Sequence, residues 1–498
     1  MPKTFAELLH ATGCEPLRGG DAPITAIASD SRAATPGCCF VAIRGFVTDG
    51  HRYIANAIAA GATAVVCQDE AFAAQVPPSV ACARVPDSRQ ACAAMSAFFW
   101  DSPSSGMVVA GVTGTNGKTT TVILIDAIFR GQGYTTGTLG TLGRQAAGEH
   151  AKTAHTTPDS VELQATFADM LSHGVTHVAM EVSSHALSLH RVWGTKFDAA
   201  VFTNLTQDHL DFYSSPSEYL EAKILLFTEY ADLARPEKEL RAVLNADDPS
   251  TPVIRARARC PVITYGLRGG QADVTAVDLY SSVQGARFEV AAFGEREPVE
   301  LALAGRFNVY NALAAASCGL ALGLPLRDIT RDLATVSRVD GRFECVDEGQ
   351  SFAVIVDYAH TPDALRNVLV SARPLATGRL ICVFGCGGDR DRTKRPQMGA
   401  IVAELADLPI VTSDNPRSED PLAIIADIRA GMPPGDLLAE PDRRRAIEVA
   451  VSLAQTGDLI VIAGKGHEDY QIFADRTVHF DDREEARRAL RGRPDRSA

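Results

Sequence analysis

Val108-Val-Ala-Gly-Val-Thr-Gly-Thr-Asn-Gly-Lys-Thr-Thr-Thr121 is the stretch whose reading decides the fold. Small and apolar residues at its start fit a buried strand. A loop of Gly111, Gly114 and Gly117 breaks the run, Lys118 and Thr119 follow, and Val122-Ile-Leu-Ile-Asp-Ala-Ile-Phe129 continues as an apolar helix. Strand, glycine loop, Lys-Thr and helix are the parts of a phosphate-binding loop. Glycines let backbone N–H groups turn onto phosphate oxygens, the helix N-terminus adds partial positive charge, and the lysine supplies a full one. The Thr119 hydroxyl is placed to reach Mg²⁺. The spacing G-x-x-x-x-G-K-[ST] is missed by one residue: Val112 stands where the first glycine belongs, and Gly111 comes one position early. A plain glycine-rich turn is the competing reading. The Gly-Lys-Thr core with its apolar flanks favours the phosphate site.

Around this stretch, 498 residues suffice for about three domains. A hydrophobic share of 46% fits large globular cores. The net charge of -13 argues against a non-specific nucleic-acid binder, so basic residues clustered inside motifs become informative. No apolar run reaches the ~18 residues of a membrane span. The opening Met1-Pro-Lys-Thr-Phe-Ala-Glu lacks a signal-peptide pattern, and the 11 cysteines form no C-x-x-C pair. A reducing, cytoplasmic setting without membrane or nucleic-acid partners is expected.

Alternation of strand and helix patterns divides the chain into α/β segments at 1–100, 101–335 and 336–498. In the first, Ile24-Thr-Ala-Ile-Ala-Ser-Asp-Ser-Arg32 alternates and ends polar, and Ser31 and Arg32 at its end fit a plain turn better than a ligand contact. In the second, Val175-Thr-His-Val-Ala-Met-Glu-Val182 reads as a strand closing on Glu181. A carboxylate at the carboxyl end of a core strand is where a Mg²⁺ ligand belongs in a phosphate-loop protein. His173, His177 and His185 raise zinc, but i, i+4 spacing needs a helix that Gly174 and the strand pattern deny. Lys223, in a helical stretch over 218–227, reads by itself as a solvated lysine, and a long alanine-rich helix is expected over 311–322. In the third segment, apolar runs ending at Asp357, Phe384, Thr412 and Ala463 each feed a polar loop. That is a doubly wound parallel sheet whose strand ends form one crevice. Arg390, Arg392, Lys394, Arg395 and Arg417 gather on these loops and predict an anion site.

Several motifs, in order along nearly the whole chain, resemble the Mur ligases, the ATP-dependent amide-forming enzymes of bacterial cell-wall precursor synthesis. They are Gly111-Val-Thr-Gly-Thr-Asn-Gly-Lys-Thr-Thr, Glu181-Val-Ser-Ser-His, Thr203-Asn-Leu, Asp208-His-Leu-Asp, Asn308 with Asn311, Gly341-Arg-Phe-Glu, Asp357-Tyr-Ala-His-Thr-Pro and Gly464-Lys-Gly-His-Glu. Folylpolyglutamate synthetases share the loop and the fold and are the rival family. Ser29-Asp-Ser-Arg and Asp414-Asn-Pro-Arg417 resemble the branch that adds the third residue. The resemblance implies a small N-terminal α/β uridine-nucleotide domain, a central phosphate-loop ATPase domain with a mainly parallel sheet, and a C-terminal Rossmann-like doubly wound domain. The implied activity adds meso-2,6-diaminopimelate to the D-glutamate γ-carboxylate of UDP-N-acetylmuramoyl-L-alanyl-D-glutamate through an acyl phosphate, with ATP and Mg²⁺. L-lysine and L-ornithine are the alternative amines. A monomer whose C-terminal domain closes over its small-molecule substrates is expected.

Carried over residue by residue, the resemblance assigns the ATP phosphates to Gly114, Thr115, Asn116, Gly117, Lys118, Thr119 and Thr120. It assigns the rest of the nucleotide to Asn308, Arg342, Asp357 and His360. Thr119, Glu181 and a carbamylated Lys223 would hold metal, since carbamylation turns a cation into an anion. Lys118, Glu181, Lys223 and His209 are the implied catalytic groups. Ser29, Ser31, Thr156, Thr157, Ser183, Leu189 and Arg191 match positions that hold the UDP-sugar. Leu189 replaces a glutamine found in some relatives, and Phe46-Val-Thr48 departs from the polar loop expected near the uridine. Arg390, Asp414, Asn415, Pro416, Arg417, Gly464 and Glu468 match the diaminopimelate site. There Arg417 would pair bidentately with a carboxylate that the lysine side chain lacks, and Glu468 would accept from an ammonium.

Overall fold

The computed structural model describes residues 3–46, 48–146, 148–153, 155–206, 212–268, 272–434 and 438–493. Val108–Thr113 is a strand, buried from Val109 onward. It lies between His177–Glu181 and Ala199–Phe202 and runs parallel to both. Thr136–Gly140 extends the parallel run on one side, and Arg241–Asn245, Val262–Gly266 and Val274–Ser282 extend it on the other. Antiparallel strands finish both ends: Gly143–Ala146 with Glu149–Ala151, and Gly285–Ala292 with Glu295–Leu301. In the last pair, Ala286, Phe288, Val290 and Ala292 alternate at the strand period and turn their side chains into the core.

The alternation of Val108–Thr113 explains the displaced glycine. Ala110 and Val112 face one apolar layer, formed with the helices Lys118–Gly131 and Arg306–Ala321. Val109 and Gly111 face the other, where Phe197 and Val182 pack. A Cβ on Gly111 would come within 2.7 Å of the Phe197 ring, so that glycine serves packing rather than the loop. Val112 is a fully buried strand residue. Burying such a side chain contributes about 1.5–3 kcal/mol, which favours valine here over a loop glycine.

The first segment holds the parallel strands Ala26–Ala28, Cys38–Val41, Ala64–Cys67 and Ala81–Arg84. In the third, Ala353–Asp357, Leu459–Ala463, Leu380–Phe384, Leu408–Val411 and Leu438–Ala439 run parallel in that order, with the antiparallel Glu344–Cys345 at one edge. Parallel strands put all their carboxyl ends on one edge, which is why the polar loops cluster there.

Two boundaries differ from expectation. The long helix begins at Arg306 rather than near 311, because Gly305 at φ 92° turns the chain into it early. The apolar stretch from Phe197 to Thr206 predicts one strand, but the strand spans only Ala199–Phe202, because Thr203 and Asn204 turn to bond the phosphate loop. Among the described residues no helix is long and apolar enough to cross a membrane.

Candidate active site

At the carboxyl end of Val108–Thr113 the chain enters the glycine loop. Gly114 has φ 148°, and a Cβ there would lie 1.8 Å from Thr203 Oγ1. Gly117 caps the helix at φ 85°, and a Cβ would meet Asn311 Oδ1 at 2.4 Å. Only glycine fits both the conformation and the space. Lys118 Nζ folds over the loop and donates to the carbonyls of Gly114 (3.0 Å) and Thr115 (2.9 Å). The Asn116 backbone is held from both sides: its N–H donates to Asn204 Oδ1 at 2.9 Å, and its carbonyl accepts from Thr203 Oγ1 at 2.6 Å. Four first-turn N–H groups of a 14-residue helix therefore open toward the cavity.

Glu181 closes the neighbouring strand and is 1% exposed. It accepts from the Thr119 hydroxyl at 2.9 Å, from Thr141 N–H at 2.8 Å and from the Thr141 hydroxyl at 3.2 Å. Among the described residues it has no ion-pair partner. A buried carboxylate beside a hydroxyl at a phosphate loop is the hard-oxygen donor set that Mg²⁺ takes alongside substrate phosphates, so these residues fit that ion. Among the described residues no group of three His, Cys, Asp or Glu is arranged to hold a metal.

The opposite lip comes from the third segment. Arg342 Nη2 donates to Thr119 Oγ1 at 3.1 Å, and its guanidinium lies 4.8 Å from the centre of the Tyr358 ring. Asp357 accepts from Phe343 N–H (2.7 Å) and Ala359 N–H (2.8 Å). Burial pushes its carboxyl up, against the pull of Arg342 and those N–H groups. Burial and the Lys394 charge hold His360 below the usual imidazole range, so it is neutral at pH 7. Between the two lips lies a cavity of about 990 Å³.

Thr115, Asn116, Gly117, Lys118, Thr119, Thr120, Thr156, Thr157, Glu181, Ser183, Arg191, Arg342, Asp357 and His360 line this cavity. Asn308 sits beneath it, donating to Ala304 O at 2.8 Å and accepting from Asn311 at 3.0 Å. Ser29, Ser31 and Leu189 are not in its wall. Ser31 opens a short 3-10 turn after Ala26–Ala28, and Leu189 caps Ser184–Ser188. Lys223 is no solvated lysine: it is 1% exposed, with Nζ 4.3 Å from the centre of the Tyr219 ring. Tyr219 in turn bonds Thr115 Oγ1 at 3.1 Å, which puts Lys223 behind the glycine loop. His209 lies outside the described residues.

The wall also includes Asp247 and Tyr310, which the sequence reading passed over. Tyr310 donates to Asp247 Oδ2 at 2.7 Å, and burial beside that carboxylate pushes the phenol up to about 12. The signal was there: Asn245-Ala-Asp-Asp248 follows a strand that ends on the same edge as Glu181.

The residues matched to the amine site form a second cluster. Lys465, fully buried, donates to Asn415 Oδ1 (3.0 Å) and to Tyr470 O (2.6 Å), and lies 3.5 Å from both Asp414 and Glu468. Asn415 Nδ2 donates to Glu468 at 2.9 Å. Burial raises the Glu468 carboxyl, with Lys465 opposing. Asp414 is pushed up by burial too, but Lys465 and Arg443 more than offset this and hold it low. Behind them Arg443 donates to the carbonyls of Ser413 and Ala463 and pairs with the buried Asp482 at 2.6 Å. Gly464 at φ 124° packs on Asp414, and Pro416 O crowds Gly388.

The expected anion site narrows here. Arg395 is buried against Glu419 (2.8 Å) and Asp427 (2.9 Å), Arg392 pairs with Asp427 at 3.0 Å, and Lys394 donates to the His360 carbonyl. The charge of Arg392 and Arg395 is spent on structure. Among the described residues Arg390 and Arg417 make no ion pair; Arg417 donates to Gly388 O at 2.7 Å. The two clusters meet at Tyr358. A Cβ on Gly341 would lie 2.0 Å from His467 N, and one on Gly466 would lie 2.6 Å from Tyr358 Cβ, so the turns carrying Arg342 and Glu468 nest in each other.

Comparison with known proteins agrees with this geometry. Residues 112–319 match the Mur ligase middle domain, 341–466 the Mur ligase glutamate ligase domain, and 23–100 the Mur ligase family catalytic domain. The UDP-N-acetylmuramoyl-L-alanyl-D-glutamate--2,6-diaminopimelate ligase of Geobacillus thermodenitrificans is 46% identical over 478 residues, 96% of each chain. The ligase of the same name from Gloeobacter violaceus is 47% identical over 98% of each. A solved structure with that name superposes with a TM-score of 0.71 at 32% identity, covering 99% of both chains. A folylpolyglutamate synthase of Mycobacterium tuberculosis with bound ADP shares the fold, with a TM-score of 0.63 at 19% identity over 80% of this chain. The phosphate loop, the buried Glu181 and these full-length relatives leave one conclusion: the chain belongs to the Mur ligase family of ATP- and Mg²⁺-dependent peptide-bond-forming enzymes.

Proposed function

We propose that the chain joins meso-2,6-diaminopimelate to the D-glutamate γ-carboxylate of UDP-N-acetylmuramoyl-L-alanyl-D-glutamate, converting ATP to ADP and phosphate. One observation carries the reading: Arg342 from the third segment donates to Thr119 on the phosphate loop, beside Glu181. The contact ties the segment that carries the proposed amine site to the phosphate loop, which supports ligation, where two sites must meet, over simple ATP hydrolysis. The working units are 1–100 for the UDP-sugar, 101–335 for ATP and 336–498 for the amino acid, in a cytoplasmic monomer.

In this mechanism a γ-carboxylate oxygen attacks the terminal phosphorus of ATP, and ADP leaves. Lys118 and the N–H groups of Gly117 to Thr120 offset charge on the moving phosphoryl group. Mg²⁺ held by Thr119 and Glu181 would neutralise phosphoryl oxygens when bound. Carbamylated Lys223 supplies a second anion behind the loop. Asn308, Arg342, Asp357 and His360 hold the nucleotide, while Thr156, Thr157, Ser183 and Arg191 hold the muramoyl peptide, with Ser29, Ser31 and Leu189 toward the uridine. The amine, gripped by Asp414, Asn415, Glu468 and Arg417 with Arg390, Pro416 and Gly464 around it, attacks the acyl carbon. A C–N bond forms, phosphate leaves and the amine loses a proton.

The test is product formation from purified UDP-muramoyl-dipeptide and ATP with each of meso-diaminopimelate, L-lysine and L-ornithine. Tripeptide with diaminopimelate, and ADP release that requires the dipeptide, are expected. Faster turnover of lysine or ornithine would overturn the specificity, and dipeptide-independent ADP release would overturn the ligase reading.

A further inference from the structure

The helix Pro362–Ala372 starts just past His360, and the Thr361 side chain caps it. In its first turn stands Asp363, which none of the site assignments uses. Its Oδ2 accepts from Asn116 Nδ2 at 2.7 Å, from Thr206 Oγ1 at 2.6 Å and from Asn367 Nδ2 at 3.0 Å. The first two donors lie 247 and 157 residues away in sequence. Asn116 belongs to the phosphate loop, and Thr206 to the loop after Ala199–Phe202. These two loops are already tied together, since Thr206 N–H donates to Thr115 Oγ1 at 3.0 Å. One carboxylate oxygen therefore fastens the third segment to both.

Among the described residues no cation pairs with Asp363, so its charge is met by neutral donors. Hydrogen bonds to an ionised acceptor are short and about twice as strong as neutral ones, and these are directional as well. The contact also has a counterpart. Arg342 grips Thr119 on the helix side of the loop, while Asp363 grips Asn116 on the strand side. The loop is clasped from both sides by opposite charges of the same segment.

We propose that Asp363 is a positioning residue for ligation: it fixes the third segment in register on the phosphate loop, so that the amine site meets the acyl phosphate. It touches no reacting atom and acts through Asn116 and Thr206. The inference rests on the ligase reading above. Without the register, the activated carboxyl waits longer for the amine and loses its phosphoryl group to water. More ADP is then released for each tripeptide made.

The experiment measures kcat, ADP released per tripeptide formed, and melting temperature for the full-length protein and for Asp363→Ala and Asp363→Asn. Asp363→Ala is expected to lower kcat by roughly 10- to 100-fold, the scale of one lost charge-assisted bond, and to raise the ADP-to-tripeptide ratio above one. Asp363→Asn can keep an oxygen facing the donors without the charge and should fall between Asp363→Ala and the parent. If Asp363→Ala does not fold, Asp363→Asn alone decides. A ratio that stays at the parental value in the folded variants overturns the inference, whatever happens to kcat. A parent protein that makes no tripeptide overturns the ligase reading instead, so the two failures are distinct.

Discussion

Thr119 donates its hydroxyl to Glu181 Oε1 at 2.9 Å across 62 residues of sequence, one residue opening a helix and the other closing a strand. The pair exists because the two strands are parallel neighbours in register, with Glu181 opposite Val112. Glu181→Gln keeps the shape and removes the charge. Tripeptide formation should fall by roughly 100-fold or more, the scale of a lost metal or transition-state charge contact. The Mg²⁺ concentration for half-maximal rate should rise while the melting temperature holds. Activity titrated with Mg²⁺ checks this, and an unchanged Mg²⁺ requirement would falsify it.

Arg417 is one of the two loop arginines left unneutralised, and it has φ 55°. Arg417→Lys keeps the charge but loses the planar fork that pairs with a carboxylate. The KM for diaminopimelate should rise about 10-fold or more, with the KM for ATP unchanged. Steady-state kinetics with each substrate varied separates the two, and a parallel change in both would point to a folding defect instead.

Glu468 gives a pH signature. Burial, opposed by Lys465, raises its pKa above the ordinary 4.5, with Asp414 adding to the rise. As pH falls through that raised value the carboxylate takes up a proton and can no longer pair with an ammonium, so the KM for the amino acid should climb on the acid side. Around the group stand Lys465, Asp414, Asn415 and Tyr470, with Arg443 behind and Tyr358 alongside. For stability the sign reverses. The folded state binds this proton more tightly than the unfolded one, so the group costs stability as pH rises above 4.5. Glu468→Gln should therefore melt higher than the parent at pH 8, by a smaller margin at pH 5, while losing activity. Thermal melts at both pH values measure the difference.

Gly114→Ala should fail. The added Cβ would fall 1.8 Å from Thr203 Oγ1, and φ 148° is strained for any side chain. Such backbone strain costs about 1–3 kcal/mol before the clash is counted. A lower melting temperature and loss of ATP turnover are expected. Adding Thr203→Ala should relieve the clash but not the backbone conformation, and full recovery in that double variant would contradict the account.

Arg443 and Asp482 form a fully buried pair beneath the loops that carry Asp414 and Gly464. Arg443→Met leaves Asp482 charged and alone, which should destabilise the protein by about 3–5 kcal/mol. Arg443→Met with Asp482→Leu should recover much of that loss, while the amine KM stays high because Ser413 and Ala463 lose their shared donor. Denaturant unfolding and kinetics on the double variant test both halves.

Much of this was legible in sequence because the phosphate loop is local: strand, glycines, lysine and helix are consecutive, and each imposes a short-range pattern. The same holds for the four strand-to-loop transitions of the third segment. What stayed hidden depends on distant partners. Tyr219 stands one turn before Lys223 on the same helix, yet nothing local marks either as buried, because the glycine loop that Tyr219 bonds is brought there by tertiary packing. Arg392 and Arg395 looked like ligand cations until Glu419 and Asp427 folded against them. Gly111 seemed a loop glycine out of register, and only the Phe197 ring across the sheet explains it.

The nested turns at Gly341 and Gly466 carry an evolutionary consequence. Because neither turn tolerates a side chain, the joint between the turns carrying Arg342 and Glu468 cannot drift on one side alone. A descendant that came to accept a different diamino acid would leave that joint untouched and change at the rim, where Arg390 and Arg417 are uncommitted. Few substitutions would be needed, and none would disturb the machinery that activates the carboxyl group. In this fold the choice of building block is separable from the means of joining it.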